Sequence, residues 1–114
     1  MNSMDLKPEV ISQTENFVAW KVDEPDGETT YHLDINNITV HFFMEEWESF
    51  LSFKNLFPAI EKDQTGTLAE NDDYYLSNEK METGESIYNL EVIGATLYLF
   101  ADDWAELKQL VQDL

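Results

Sequence analysis

The 114-residue chain has no cysteine and no arginine, four glycines, three prolines and two histidines. Each shortage excludes something. Without cysteine there is no disulfide staple, no thiolate zinc site and no cysteine nucleophile, and either redox compartment stays open. Without arginine, and with six lysines against 24 acids, the formal net charge is -18. Nucleic acids and anionic membranes call for cations facing phosphates, above all the planar arginine fork, so this balance argues against binding either directly. Among so few glycines there is no phosphate-cradling loop, and no Gly-x-Ser-x-Gly nucleophile turn occurs. No apolar run approaches the roughly 18 residues that span a bilayer. The N-terminal "MNSMDLKPEVISQTEN" has no basic stretch leading into an apolar one. The expected location is the cytoplasm.

What is present is a core and a repetition. Hydrophobic residues make up 43% of the chain, enough for one packed domain. Shifted by 57 positions, residues 17–53 align with residues 74–110 without a gap. Identities fall at Gly27/Gly84, Glu28/Glu85, Tyr31/Tyr88, Leu33/Leu90, Thr39/Thr96, Phe43/Phe100 and Trp47/Trp104, the mark of an internal duplication. In the first copy a turn at Asn36-Asn37 pairs Ile35 with Ile38, Leu33 with Val40 and Tyr31 with Phe42 on one apolar face. In the second, a turn at Ile93-Gly94 does the same for Val92/Ala95, Leu90/Leu97 and Tyr88/Leu99. A further strand precedes each hairpin, "FVAWKV" and "YYLSNE", through the turns "DEPDGE" and "KMETGE".

After each hairpin the period becomes helical. "MEEWESFLSFKNLF" places Trp47, Phe50, Leu51 and either Lys54 or Phe57 on one stripe, and "ADDWAELKQLVQDL" does so for Trp104, Leu107, Leu110, Val111 and Leu114. Acidic pairs, Glu45-Glu46 and Asp102-Asp103, fall in the first turns, where the helix dipole favours them. The expected class is α+β: two tandem strand-strand-strand-helix repeats forming one pseudo-twofold antiparallel sheet with two helices packed on it. Residues 1–16 read as a flexible segment, and a single domain follows over 17–114. It divides into repeat one at 17–57, a polar linker at 58–73 and repeat two at 74–114. One repeat alone has too small a core to stand by itself.

The junction "GATLYLFADDWAELKQLV" is similar to the last strand and helix of the positive-cofactor-four family, which groups with the Pur-alpha and Whirly proteins. The resemblance rests on Leu99, Asp102, Asp103, Trp104, Leu107 and Val111, matched in the first copy by Phe42, Glu45, Glu46, Trp47 and Phe50. It implies an antiparallel sheet followed by a helix, and single-stranded nucleic-acid binding. Those families bind through basic and aromatic residues on the sheet, whereas this chain has no lysine between residues 22 and 53 or between 81 and 107. Their contacts therefore do not carry over.

Several side chains remain as candidates for chemistry. His32 and His41 become cross-strand neighbours opposite the core, with Asp34 on the same strand and face; a metal there lacks a convincing third ligand, so a polar sheet face is the expectation. No cofactor and no catalytic residue is expected. Trp47 and Trp104 read as core anchors. Trp20, Phe43, Tyr98 and Phe100 fall on the non-core face as a candidate aromatic binding patch, and Asp34, Glu45, Glu46, Glu91, Asp102 and Asp103 as a candidate acidic one. The leading expectation is a non-enzymatic protein-binding module that docks on a basic partner surface or self-associates as a homo-oligomer through its outer sheet faces. The alternatives are a nucleic-acid mimic that occupies a DNA- or RNA-binding protein, and single-stranded nucleic-acid binding by the resembling fold.

Overall fold

The protein is described over residues 7–114 by a computed structural model. The first unit runs β1 (Glu9–Gln13), β2 (Val18–Asp23), β3 (Thr29–Ile35), β4 (Ile38–Phe42) and α1 (Met44–Lys54), closed by a 3-10 turn at Phe57–Ala59. The second runs β5 (Gly66–Glu70), β6 (Tyr75–Lys80), β7 (Ser86–Val92), β8 (Ala95–Leu99) and α2 (Ala101–Val111). Every strand and α-helix of the second begins 57 residues after its counterpart, so the duplication reaches back to Glu9. Even the bulge is repeated, between Val10 and Ser12 and between Thr67 and Ala69.

Two expectations are corrected. Each unit has four strands, because β1 lies in the segment read as flexible and β5 in the segment read as linker. Both are bulged edge strands with little to bury: no side chain of β1 is buried, and only Ala69 of β5 is. Without an apolar alternation, sequence periodicity has nothing to register. Residues 1–6 of the flexible segment lie outside the described residues. The second correction concerns the sheet: the units do not share one pseudo-twofold sheet but build two, ordered β1-β2-β3-β4 and β5-β6-β7-β8. Strand pairing closes within each unit, and helices join them.

Both terminal hairpins take the register that the apolar pattern demands, with Leu33 opposite Val40 and Leu90 opposite Leu97. Their tight turns differ. The left-handed residue is Asn36 (φ 55) in the first and Gly94 (φ 68) in the second, one place later. Asparagine and glycine are the residues that tolerate this region at least cost. The helices bury Trp47, Phe50 and Phe53 in α1, and Trp104, Leu107, Leu110 and Val111 in α2. Phe53 joins the expected stripe, and of the two alternatives it is Phe57, in the 3-10 turn just beyond α1, that is buried, while Lys54 is only half-buried.

The two units have a single core. Phe57 meets Trp104 edge-on at 5.0 Å, and Tyr74 packs against Phe50 and Phe53, both at 5.6 Å. Each helix also bonds to the first hairpin of the other unit. On α2, the Leu110 carbonyl accepts the Ser12 hydroxyl at 2.7 Å, and the Glu106 carboxylate accepts the Thr14 hydroxyl, the Asn16 N–H at 2.6 Å and the Asn16 side-chain amide at 3.0 Å. On α1, the Ser49 carbonyl accepts the Asn71 amide at 3.0 Å, the Ser49 hydroxyl donates to Asp73 at 2.6 Å, and the Glu46 carbonyl accepts the Tyr74 hydroxyl at 2.8 Å. The exchange is reciprocal. Among the described residues no helix is long and apolar enough to cross a membrane.

Candidate functional site

The turns joining β2 to β3 and β6 to β7 are built alike. Glu24 N–H donates to the Glu28 carbonyl at 2.7 Å and Gly27 N–H to the Glu24 carbonyl at 3.0 Å; Met81 and Gly84 repeat both bonds at 2.8 and 2.9 Å. A side-chain oxygen two residues back, from Asp26 or Thr83, accepts the N–H of Glu28 or Glu85. Gly27 and Gly84 sit at φ 91 and 90, where a side chain would be strained. The turn thus delivers Glu28 and Glu85 to the same place in each unit.

Across from each turn a strand ends and a helix begins. Phe43 and Phe100 occupy the N-cap positions in extended backbone, 63% and 54% exposed. Neither can cap with its side chain, a role that favours Ser, Thr, Asp or Asn. In α1, Glu46 covers part of the loss by accepting the Phe43 N–H at 2.8 Å. Between turn and helix lies a cleft. In the first unit it has a volume of about 550 Å³ and is walled by Glu28, Phe43, Met44, Glu45 and Glu46. In the second it has about 570 Å³, with Glu85, Phe100 and Asp102 in the matching places and Lys80, Asp63 and Tyr88 added to its lining. Lys80 leans on Asp63 at 3.9 Å. The clefts correspond at six positions, 27–29 with 84–86 and 43–45 with 100–102, and differ beyond them.

Compared with protein-family models, curated proteins and solved structures, the chain matches none of them. The clefts are therefore read from their own geometry.

The structure divides the aromatic residues grouped from sequence. Phe43 and Phe100 fall in separate clefts, and Tyr98 stands alone on β8, 70% exposed opposite Asn89. Trp20 is not an open docking ring. It stacks on His32 at 3.9 Å, and its indole N–H donates to Asp34 at 3.0 Å. His41 meets His32 edge-on at 4.6 Å, so Trp20, His32 and His41 form one cross-strand row. The matching row in the second unit is Ser77, Asn89 and Tyr98.

The acidic candidates separate in the same way. Glu45 and Asp102 line the clefts, Glu46 lines one while serving as a cap, and Asp103 is half-buried in the first turn of α2. Asp34 is engaged by Trp20 and by the Thr39 hydroxyl at 2.7 Å, and Glu91 lies exposed on β7 opposite Tyr75. Sequence reasoning missed Glu28 and Glu85 as site residues. Their identity across the copies was the available signal.

His32 is buried, and its Nδ1 has no hydrogen-bond partner. Burial, followed by the neighbouring His41, holds its pKa below the usual imidazole value, against the pull of Glu24 and Asp34. Among the described residues no three His, Asp or Glu side chains converge as a metal site. Two other displaced groups serve the joint between the units. Burial is the strongest influence on Glu106 and works upward, but bonds from Thr14, Asn16 and Phe17 outweigh it and hold that carboxyl low. The Tyr74 phenol is pushed up by burial and by the nearby Glu46 and Asp73. None of the three displaced groups lines either of the twin clefts.

Proposed function

We propose that this protein is a non-enzymatic docking module for a partner protein with a basic surface. The observation that carries it is the pairing of exposed apolar rings with unneutralised carboxylates at equivalent places in the two units. Phe43 and Phe100 project beside Glu28, Glu45, Glu85 and Asp102, and no lysine lies in the first cleft. Docking surfaces combine apolar anchors with polar rims, and a strong field of one sign selects partners of the other and speeds their encounter. At a net charge of -18 a second copy meets repulsion, which favours a basic partner over self-association.

The reading is tested by recovering partners from source cells on the tagged protein, with nuclease treatment, and eluting with rising salt. Expected is a basic protein that survives nuclease, elutes as salt rises and is recovered less well by the Phe43→Ala, Phe100→Ala double variant. If ssDNA then displaces that protein, the nucleic-acid-mimic form of the reading gains. Recovery of nothing but the protein itself would replace docking with self-association through the outer sheet faces.

A further inference from the structure

We infer that each of the two equivalent clefts receives an arginine side chain of the partner, so that one molecule of this protein holds two. The inference rests on the docking reading above and names what that site takes.

Divergence between the copies is the first support. Of the seven identities between the units, Tyr31/Tyr88, Leu33/Leu90 and Trp47/Trp104 pack in or against the core, and Gly27/Gly84 meets a positive φ. Three pairs are left without such a demand. One is Thr39/Thr96, facing out from the terminal hairpins, and Thr39 bonds to Asp34. The other two, Glu28/Glu85 and Phe43/Phe100, face each other across the same cleft in both units. The packing of the fold does not ask for them. An exposed phenylalanine at a helix N-cap is a poor structural choice, yet both copies have it while most of the surrounding surface has changed.

The chemistry of the walls supplies the occupant. The ring face of phenylalanine carries the negative part of its quadrupole and attracts a cation stacked upon it. Carboxylates stand on the turn side, Glu28 or Glu85, and on the helix side, Glu45 or Asp102, both able to accept N–H donors. A flat cation with donors around its edge satisfies ring and carboxylates together. Arginine fits that description and lysine, a compact point charge, fits it less well. Lys80 lines the second cleft but pairs there with Asp63, so Glu85 and Asp102 have no ion-pair partner among the described residues.

The test is a titration of the full-length, isotope-labelled protein with a hexa-arginine peptide, followed by backbone amide NMR, alongside hexa-lysine at equal salt. Expected are shifts concentrated at Gly27–Glu28 and Phe43–Glu45 and at Gly84–Glu85 and Phe100–Asp102. The arginine peptide should bind more tightly than the lysine peptide. Replacing both rings by alanine should weaken arginine binding about fivefold per cleft, the size of one cation–π contact. Those side chains are exposed, so the variant keeps its fold, which the unchanged remainder of the spectrum verifies. Binding with shifts spread over the acidic surface, or indifferent to loss of the rings, would overturn the clefts while leaving the basic-partner reading intact. Absence of binding by either peptide would overturn both.

Discussion

The setting of His32 disfavours a second proton on its ring. The Thr30 hydroxyl donates to the Glu24 carboxylate at 2.7 Å, so its lone pair accepts from His32 Nε2–H at 3.0 Å. That fixes the tautomer and leaves Nδ1 bare beneath Trp20 and beside His41. Because the folded pKa is depressed, the unfolded chain takes up a proton first as pH falls below 6.5. Stability from this group is present above that value and is lost on acidification through the folded pKa. We expect the melting temperature of the natural protein to fall as pH drops below 6.5, relative to His32→Asn, the residue found at the matching position 89. The two melting curves compared across pH decide it; parallel pH profiles would refute the assignment. Much of this cluster was legible beforehand, since the β3–β4 register alone makes His32 and His41 neighbours. Trp20 was not, because its approach depends on the register of β2 against β3, which no tight turn announces.

At the level of elements, legibility follows burial. β3, β4, β7 and β8 each turn an apolar face to the core, and a one-residue slip would expose it, so periodicity reads their register correctly; it also finds both helices, missing only Phe53 on the α1 stripe. β1 and β5 are held instead by backbone pairing at a sheet edge and, for β1, by the Ser12 bond to α2. Such bonds leave no pattern in composition. The joint between α2 and the first unit has a testable strength. Leu110 is fully buried where α2 meets that unit, and Leu110→Ala should cost about 3 kcal/mol by leaving a cavity. Ser12→Ala should cost about 1 kcal/mol through the lost hydrogen bond. Denaturant unfolding of each variant measures both; a Leu110→Ala loss well below that figure would mean that the helix is only loosely seated.

The whole molecule carries far more negative charge than it can neutralise locally. Only two ion pairs form among the described residues, Lys21–Glu9 and Lys80–Asp63, both at 3.9 Å and both open to solvent, so neither adds much. Mutual repulsion of the remaining carboxylates opposes the compact state. Screening should relieve it: raising NaCl from about 0.01 M to about 0.1 M shortens the Debye length from about 30 Å to about 10 Å, and the melting temperature should rise. A melting temperature indifferent to salt would show that the acids are too dispersed to repel. The composition made this charge plain. Of the carboxylates in the clefts, Glu45, Glu46 and Asp102 were legible as first-turn acids of the helices; Glu28 was not, because it reaches the same cleft only after the chain has passed through a turn and a hairpin.

The two cross-strand rows differ in kind: Trp20, His32 and His41 make a run of ring contacts on one sheet, while Ser77, Asn89 and Tyr98 stand at the same stations of the other. An assembly of two identical chains would be bound to display the same row twice, since any substitution would appear in both subunits at once. Joining the copies in one polypeptide removes that constraint. The same freedom reaches the joint between the halves, where Glu106 holds the first hairpin of one unit and its counterpart Ser49 holds that of the other through different bonds.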